Sequence, residues 1–144
     1  MHEGTVLVTV NAKGVATVTL NRPEMHNAFD DETIARLTRE LRTLGEDEDV
    51  RVVVLNARGE SFCAGADLKW MKHTAQFSEA ENLQDASALA ELLLVLDTLP
   101  KPTLALIQGP AYAGGVGLIC ACDIAIAAQS ARFAITEVRL GLIP

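Results

Sequence analysis

Residues 101–123, KPTLALIQGPAYAGGVGLICACD, limit what this chain can fold into more than any other stretch. Thr103–Ile107 is an uninterrupted apolar run, as expected of a strand covered on both faces. Gly109 and Pro110 break it, and after Gly114 and Gly115 the chain turns apolar again through Leu118, Ile119, Cys120, Ala121 and Cys122. The stretch reads as buried strand, turn and the start of a buried helix. Glycines at a helix start let a ligand come close to the backbone, and the first-turn N–H groups there lack intrahelical partners. Such groups suit a negative charge, either a phosphate or the oxyanion that develops on a reacting carbonyl.

The rest of the chain repeats the alternation. Residues 5–10 and Val15–Leu20 alternate as two strands of a hairpin across Asn11, Ala12, Lys13 and Gly14. Asp30 or Asp31 caps a helix to about Leu44, with Ile34, Leu37, Leu41 and Leu44 on one face. Residues 52–55 form a second continuous β-branched strand, and Asp67 caps a short helix over 68–72. The polar stretch 73–85 is expected to be mobile or loosely helical. A helix is predicted over 86–99, with Leu89, Leu92, Leu93 and Leu96 as its buried stripe. A strand at Ile124–Ala127 follows. The expected class is α/β, built on a mainly parallel sheet with the first hairpin as exception.

At 144 residues the chain is expected to be one domain, 1–144. The net charge of −7 argues against nucleic acid or an anionic membrane surface as partner. Cys63, Cys120 and Cys122 fit neither a disulfide framework nor a zinc site, and no metal is expected. With no signal peptide pattern at Met1, His2, Glu3 and Gly4, the expected setting is reducing and cytoplasmic. The apolar close at 140–144 suggests a native polypeptide that continues.

Two strand-to-helix loops join glycine to small residues: Cys63-Ala64-Gly65-Ala66-Asp67 and Ala113-Gly114-Gly115. In a parallel sheet both lie at the carboxyl ends of strands, where ligands bind. One N–H from each, at Ala66 and Gly114, would make a two-donor oxyanion site. Neither loop fits GxGxxG or GxxxxGK[ST], which weakens the phosphate reading. Glu137 stands among Phe133, Ala134, Ile135, Val138, Leu140 and Leu142, surroundings that suit a carboxyl to proton transfer near neutral pH. Cys63 is read as packing, Cys120 and Cys122 as core, His2, His26 and His73 as surface residues, and Trp70 and Met71 as pocket wall. Arg139 is read either as a partner for an acyl-chain carboxylate or as half of a surface ion pair.

Four segments, at 21–29 (NRPEMHNAF), 62–68 (FCAGADL), 109–123 and 133–144, in this order and spacing, resemble the enoyl-CoA hydratase/isomerase (crotonase) superfamily. The resemblance covers essentially the whole chain. It implies a spiral of ββα turns, with the C-terminal helices beyond Pro144 and a homotrimer or dimer of trimers in the full-length protein. Ala66 and Gly114 match the family's oxyanion donors. Ala64, Asp67 and Leu68 match the loop lining the coenzyme A site, and the segment from Arg22 to Met25 lies where the family approaches the CoA phosphates and ribose. CoA is part of the substrate, and no separate cofactor is implied. Glu137 matches the second of two catalytic glutamates; the first falls at Gly117. The expected activity is hydration of an α,β-unsaturated acyl-CoA thioester. The segments 114–118 and 136–142 look most like bacterial hydratases of branched substrates such as methylglutaconyl-CoA. The alternatives are a Δ3,Δ2-enoyl-CoA isomerase using Glu137 alone and a non-catalytic acyl-CoA-binding member.

Overall fold

The computed structural model describes residues 4–143. The hairpin forms from β1 (Val6–Val10) and β2 (Val15–Leu20), antiparallel and with Val6 opposite Leu20. Asn11 ties its turn by accepting from the Lys13 and Val15 N–H groups at 2.9 and 3.1 Å. After a 3-10 turn at Pro23–Met25 comes α1 (Asp31–Glu46), and after that β3 (Val52–Ala57), which pairs in parallel with β2. Next are α2 (Leu68–Thr74), α3 (Glu79–Asp97) and β4 (Thr103–Ile107), the last parallel to β3. The chain continues through β5 (Ala111–Tyr112), α4 (Gly114–Cys120) and β6 (Ile124–Ala127) to β7 (Phe133–Ala134) and a 3-10 turn at Glu137–Leu140. The main sheet has the order β1-β2-β3-β4-β6.

Helix α1 shows why the periodicity was readable. The Asp30 carboxylate accepts from the Thr33 N–H at 2.9 Å, and Ile34, Leu37, Leu41 and Leu44 are buried. Each buried aliphatic side chain contributes about 1.5–3 kcal/mol.

Two expectations are corrected. Residues 79–85 are not loose: α3 begins at Glu79, because the Ser78 hydroxyl accepts from the Glu81 N–H while the Glu81 carboxylate accepts from the Ser78 N–H. Leu83 is 68% exposed there, so the first two turns carry no apolar stripe. Cys120 is exposed rather than core, because α4 is only two turns long and Cys120 ends it on the wall of a cavity, whereas Cys122 is half-buried and packs against the core.

A second layer decides where the loops meet. Phe29 bridges Ala66, Cys63 bridges Ala111, and β5 pairs with β7, all in parallel. Each ββα turn thus leaves the main sheet and lays a short extended segment beside that of the next turn. This is the crotonase-like α/β spiral that the resemblance implies.

Candidate active site

The residue that closes the first loop onto the second is Asn27. It is 2% exposed and stands at φ 54, in the left-handed region that Asn tolerates better than most residues. Its side-chain amide donates to the Arg58 and Ser61 carbonyls at 2.7 and 2.9 Å, and its Oδ1 accepts from the Arg22 N–H at 2.8 Å. Sequence reasoning passed over this residue. Its one local signal was an Asn four residues after the turn-forming Pro23.

The Arg22 guanidinium is spent on the protein. Nη1 donates to the Ala28 carbonyl at 2.7 Å and lies 2.9 Å from Asp30 Oδ2, while Nη2 donates to Asp67 Oδ2 at 3.0 Å. Arg22 therefore joins the caps of α1 and α2. Asp67, 4% exposed, also accepts from the Lys69 and Trp70 N–H groups at 2.8 and 3.4 Å. Burial by itself would raise its carboxyl, but these N–H groups and the Arg22 guanidinium outweigh burial and hold it below the usual carboxylate range. A carboxyl depressed on folding contributes stability that is complete above its unfolded value, about 3.9, and is lost as pH falls through the folded one. Asp67→Asn should flatten the acid side of the stability–pH curve. Asp67→Ala should cost about 0.5–2 kcal/mol from the cap alone in urea titrations near neutral pH.

The two glycine loops touch. A Cβ built on Gly65 (φ 89) would lie 2.8 Å from Ala113 Cβ and 3.6 Å from the Gly114 nitrogen. The Phe29 N–H donates to the Gly65 carbonyl and the Asp67 N–H to the Phe29 carbonyl, both at 2.9 Å. In this ladder the N–H of the residue between them, Ala66, points away from Phe29. Ala113 precedes α4 at φ 52, ψ −128, a strained conformation for a residue with a Cβ, and its N–H donates to the Ala134 carbonyl at 2.9 Å. Gly114 then opens α4 with an N–H that has no intrahelical partner. Among the described residues neither the Ala66 nor the Gly114 N–H donates to another protein group.

Both residues line one cavity of about 390 Å³. Ala64 comes from the loop at residues 63–67, Leu68 and Met71 from α2, Leu89 and Leu93 from α3, Val116, Gly117 and Cys120 from α4, and Ile135, Thr136 and Glu137 from the segment after β7. Arg22, Met25 and Asp67 are not among the lining residues. The Glu137 Oε2 atom is buried and has no hydrogen-bond partner. A groove of about 400 Å³ between α1 and α3 carries Arg39, Arg42 and Glu91 but neither glycine loop. The 390 Å³ cavity can therefore offer two fixed donors and one carboxylate to a ligand, the components of carbonyl polarisation with proton transfer.

A family profile described as Enoyl-CoA hydratase/isomerase matches residues 11–144. The chain belongs to the enoyl-CoA hydratase/isomerase family. The crystal structure of an enoyl-CoA hydratase from Shewanella pealeana superimposes with a TM-score of 0.95 at 45% identity, covering 98% of this chain and 53% of that one. The (E)-benzylidenesuccinyl-CoA hydratase of Thauera aromatica is 39% identical over 127 residues, 88% of this chain and 48% of that protein. An enoyl-CoA isomerase/hydratase of Mycosarcoma maydis is 40% identical over 140 residues, 91% of this chain and 50% of that protein. The chain of this hydratase/isomerase family member spans about half the length of these relatives.

The cysteines of this family member divide by environment. Burial pushes the Cys63 thiol up to about 12 and the Cys122 thiol up to about 11. Cys63 Sγ donates to the Asn27 carbonyl at 3.2 Å, a packing role rather than a nucleophile's. Cys120 is exposed on the cavity wall. Iodoacetamide at neutral pH should modify Cys120 first, as read by peptide mass spectrometry.

No described helix is long and apolar enough to cross a membrane, and no cluster of three or more His, Cys, Asp or Glu among the described residues could hold a metal ion.

Proposed function

We propose that this chain carries the catalytic core of an enoyl-CoA hydratase. One observation carries the reading: two partnerless N–H groups, from separate loops, line the same cavity as a carboxylate with a partnerless buried oxygen. The thioester carbonyl sits between the Ala66 and Gly114 N–H groups. The Glu137 carboxylate takes a proton from water as the water oxygen bonds to Cβ. The electron pair of the double bond moves towards the thioester oxygen, and the two N–H groups stabilise the resulting enolate. Glu137 then returns the proton to Cα, so water is added across the bond and the carboxylate is restored. Ala64 and Leu68 flank the CoA arm, and Asp67 and Arg22 hold that loop in place; Met25 stands on the 3-10 turn, where the CoA phosphates and ribose would approach.

The acyl group we propose is branched and glutaconyl-like, supported by the likeness of 114–118 and 136–142 to such hydratases. Among the described residues no lining side chain is cationic, and the cation we assign to an acyl carboxylate is Arg139, exposed and two residues after Glu137. Methylglutaconyl-CoA should then exceed crotonyl-CoA in kcat/KM, and Arg139→Ala should remove that preference.

Gly117 favours a second reading. With glycine in place of a second carboxylate, Glu137 alone suffices to shuttle a proton between the α and γ carbons of a 3-enoyl-CoA. Following the enoyl-thioester absorbance with both substrates decides between them. Loss of the conjugated band with formation of 3-hydroxyacyl-CoA supports the hydratase. Conversion of 3-enoyl-CoA to a conjugated product that is never hydrated overturns it in favour of the isomerase. Binding with no change in the band leaves an acyl-CoA-binding member.

A further inference from the structure

We propose that Thr136 is the residue that positions the attacking water beside Glu137, in place of the acid missing at Gly117; the inference rests on the hydratase reading. An enclosed water takes about 2–4 polar partners, and one carboxylate oxygen leaves it free to turn away from Cβ. On the α4 wall Gly117 offers no polar group: a Cβ there would lie 3.6 Å from both δ-methyls of Leu93, an ordinary apolar contact.

Among the described residues that line the cavity, only the side chains of Glu137 and Thr136 carry oxygen. Thr136 precedes Glu137 in the chain and is half-buried. Its hydroxyl is bonded to no other protein group among the described residues, whereas its carbonyl accepts from the Arg139 N–H at 3.0 Å and pins the turn that carries Glu137. A hydroxyl both donates and accepts, so it can receive one water proton while Glu137 takes the other. The Cys120 thiol, the remaining lining side chain with a donor among the described residues, is a weak donor and acceptor. The water therefore sits between Thr136 and Glu137. Thr136 touches no reacting carbon and acts by orienting the nucleophile.

The test compares Thr136→Val, which keeps the shape and removes the hydroxyl, with Thr136→Ser, in the full-length protein. Hydration of a 2-enoyl-CoA and isomerisation of a 3-enoyl-CoA are measured side by side, since isomerisation uses Glu137 and the oxyanion donors but consumes no water. The Val variant should lose on the order of 10–100-fold in kcat for hydration, the scale of one positioned hydrogen bond, with KM within about twofold. Its ratio of hydration to isomerisation should fall by the same factor, and Thr136→Ser should restore it. Unchanged hydration in Thr136→Val overturns the proposal. So does an equal loss of both reactions, which marks a structural residue. Loss of hydration in Cys120→Ala with retention in Thr136→Val overturns it in favour of the thiol. A wild-type protein that hydrates neither crotonyl-CoA nor methylglutaconyl-CoA overturns the hydratase reading itself, and this inference with it.

Discussion

Glu137→Gln should abolish turnover while leaving acyl-CoA binding intact. The substitution keeps the size and the polarity of the side chain but removes its ability to take a proton from water and return it to Cα. General acid–base groups contribute about 10²–10⁴-fold in rate, and among the described residues no second carboxylate lines the cavity to share the work. The upper part of that range is therefore expected. The measurement pairs the enoyl-thioester assay with a thermal-shift titration using acetoacetyl-CoA. Undiminished ligand-induced stabilisation beside lost turnover identifies the proton-transfer group, whereas near-wild-type turnover would remove Glu137 from the mechanism. Gly117→Glu is the companion variant. Its Cβ meets only ordinary contacts with Leu93, and little gain is expected if one acid with Thr136 already suffices.

The second large effect belongs to Gly114. A Cβ at this position would lie 2.6 Å from Phe29 Cζ, closer than a real methyl tolerates, and Phe29 is 1% exposed and lines the cavity. Gly114→Ala should therefore displace the Phe29 ring or the start of α4, and a shift of the helix start carries the Gly114 N–H out of line with that of Ala66. Loss of one oxyanion donor costs about 10²–10³ in rate. The fall should appear in kcat, because the donors act most strongly on charge that exists only near the transition state. If the variant is unstable, Phe29→Leu combined with Gly114→Ala makes space for the methyl group. Recovery of stability without recovery of kcat assigns the loss to the donor, and recovery of both would show that the N–H geometry was never disturbed.

Much of the fold was legible because its signals are local. The stripe of Ile34, Leu37, Leu41 and Leu44 and the continuous runs of β3 and β4 announce which faces are buried. Where local polarity hid the answer, the reading failed. Helix α3 begins at Glu79, seven residues before the expected start at residue 86, although Ser78 and Glu81 carried the cap signature. The two glycine loops were visible as strand-end turns of small residues. Arg22 was legible only as a cation near a proposed phosphate site, whereas in the folded chain it clamps the caps of two helices.

The sequence by itself determined the alternation of strands and helices, the sites of chain reversal and the family to which the chain belongs, since each follows from neighbouring residues or their order. Only the tertiary structure decided which loops share a cavity. Phe29 meets Ala66 and Cys63 meets Ala111 through hydrogen bonds between segments 37 and 48 residues apart (66 − 29 and 111 − 63). Such pairings depend on how the spiral closes, which no local spacing specifies. That closure brings Thr136, Glu137 and Gly117 to one cavity and leaves Arg22, Met25 and Asp67 out of its lining.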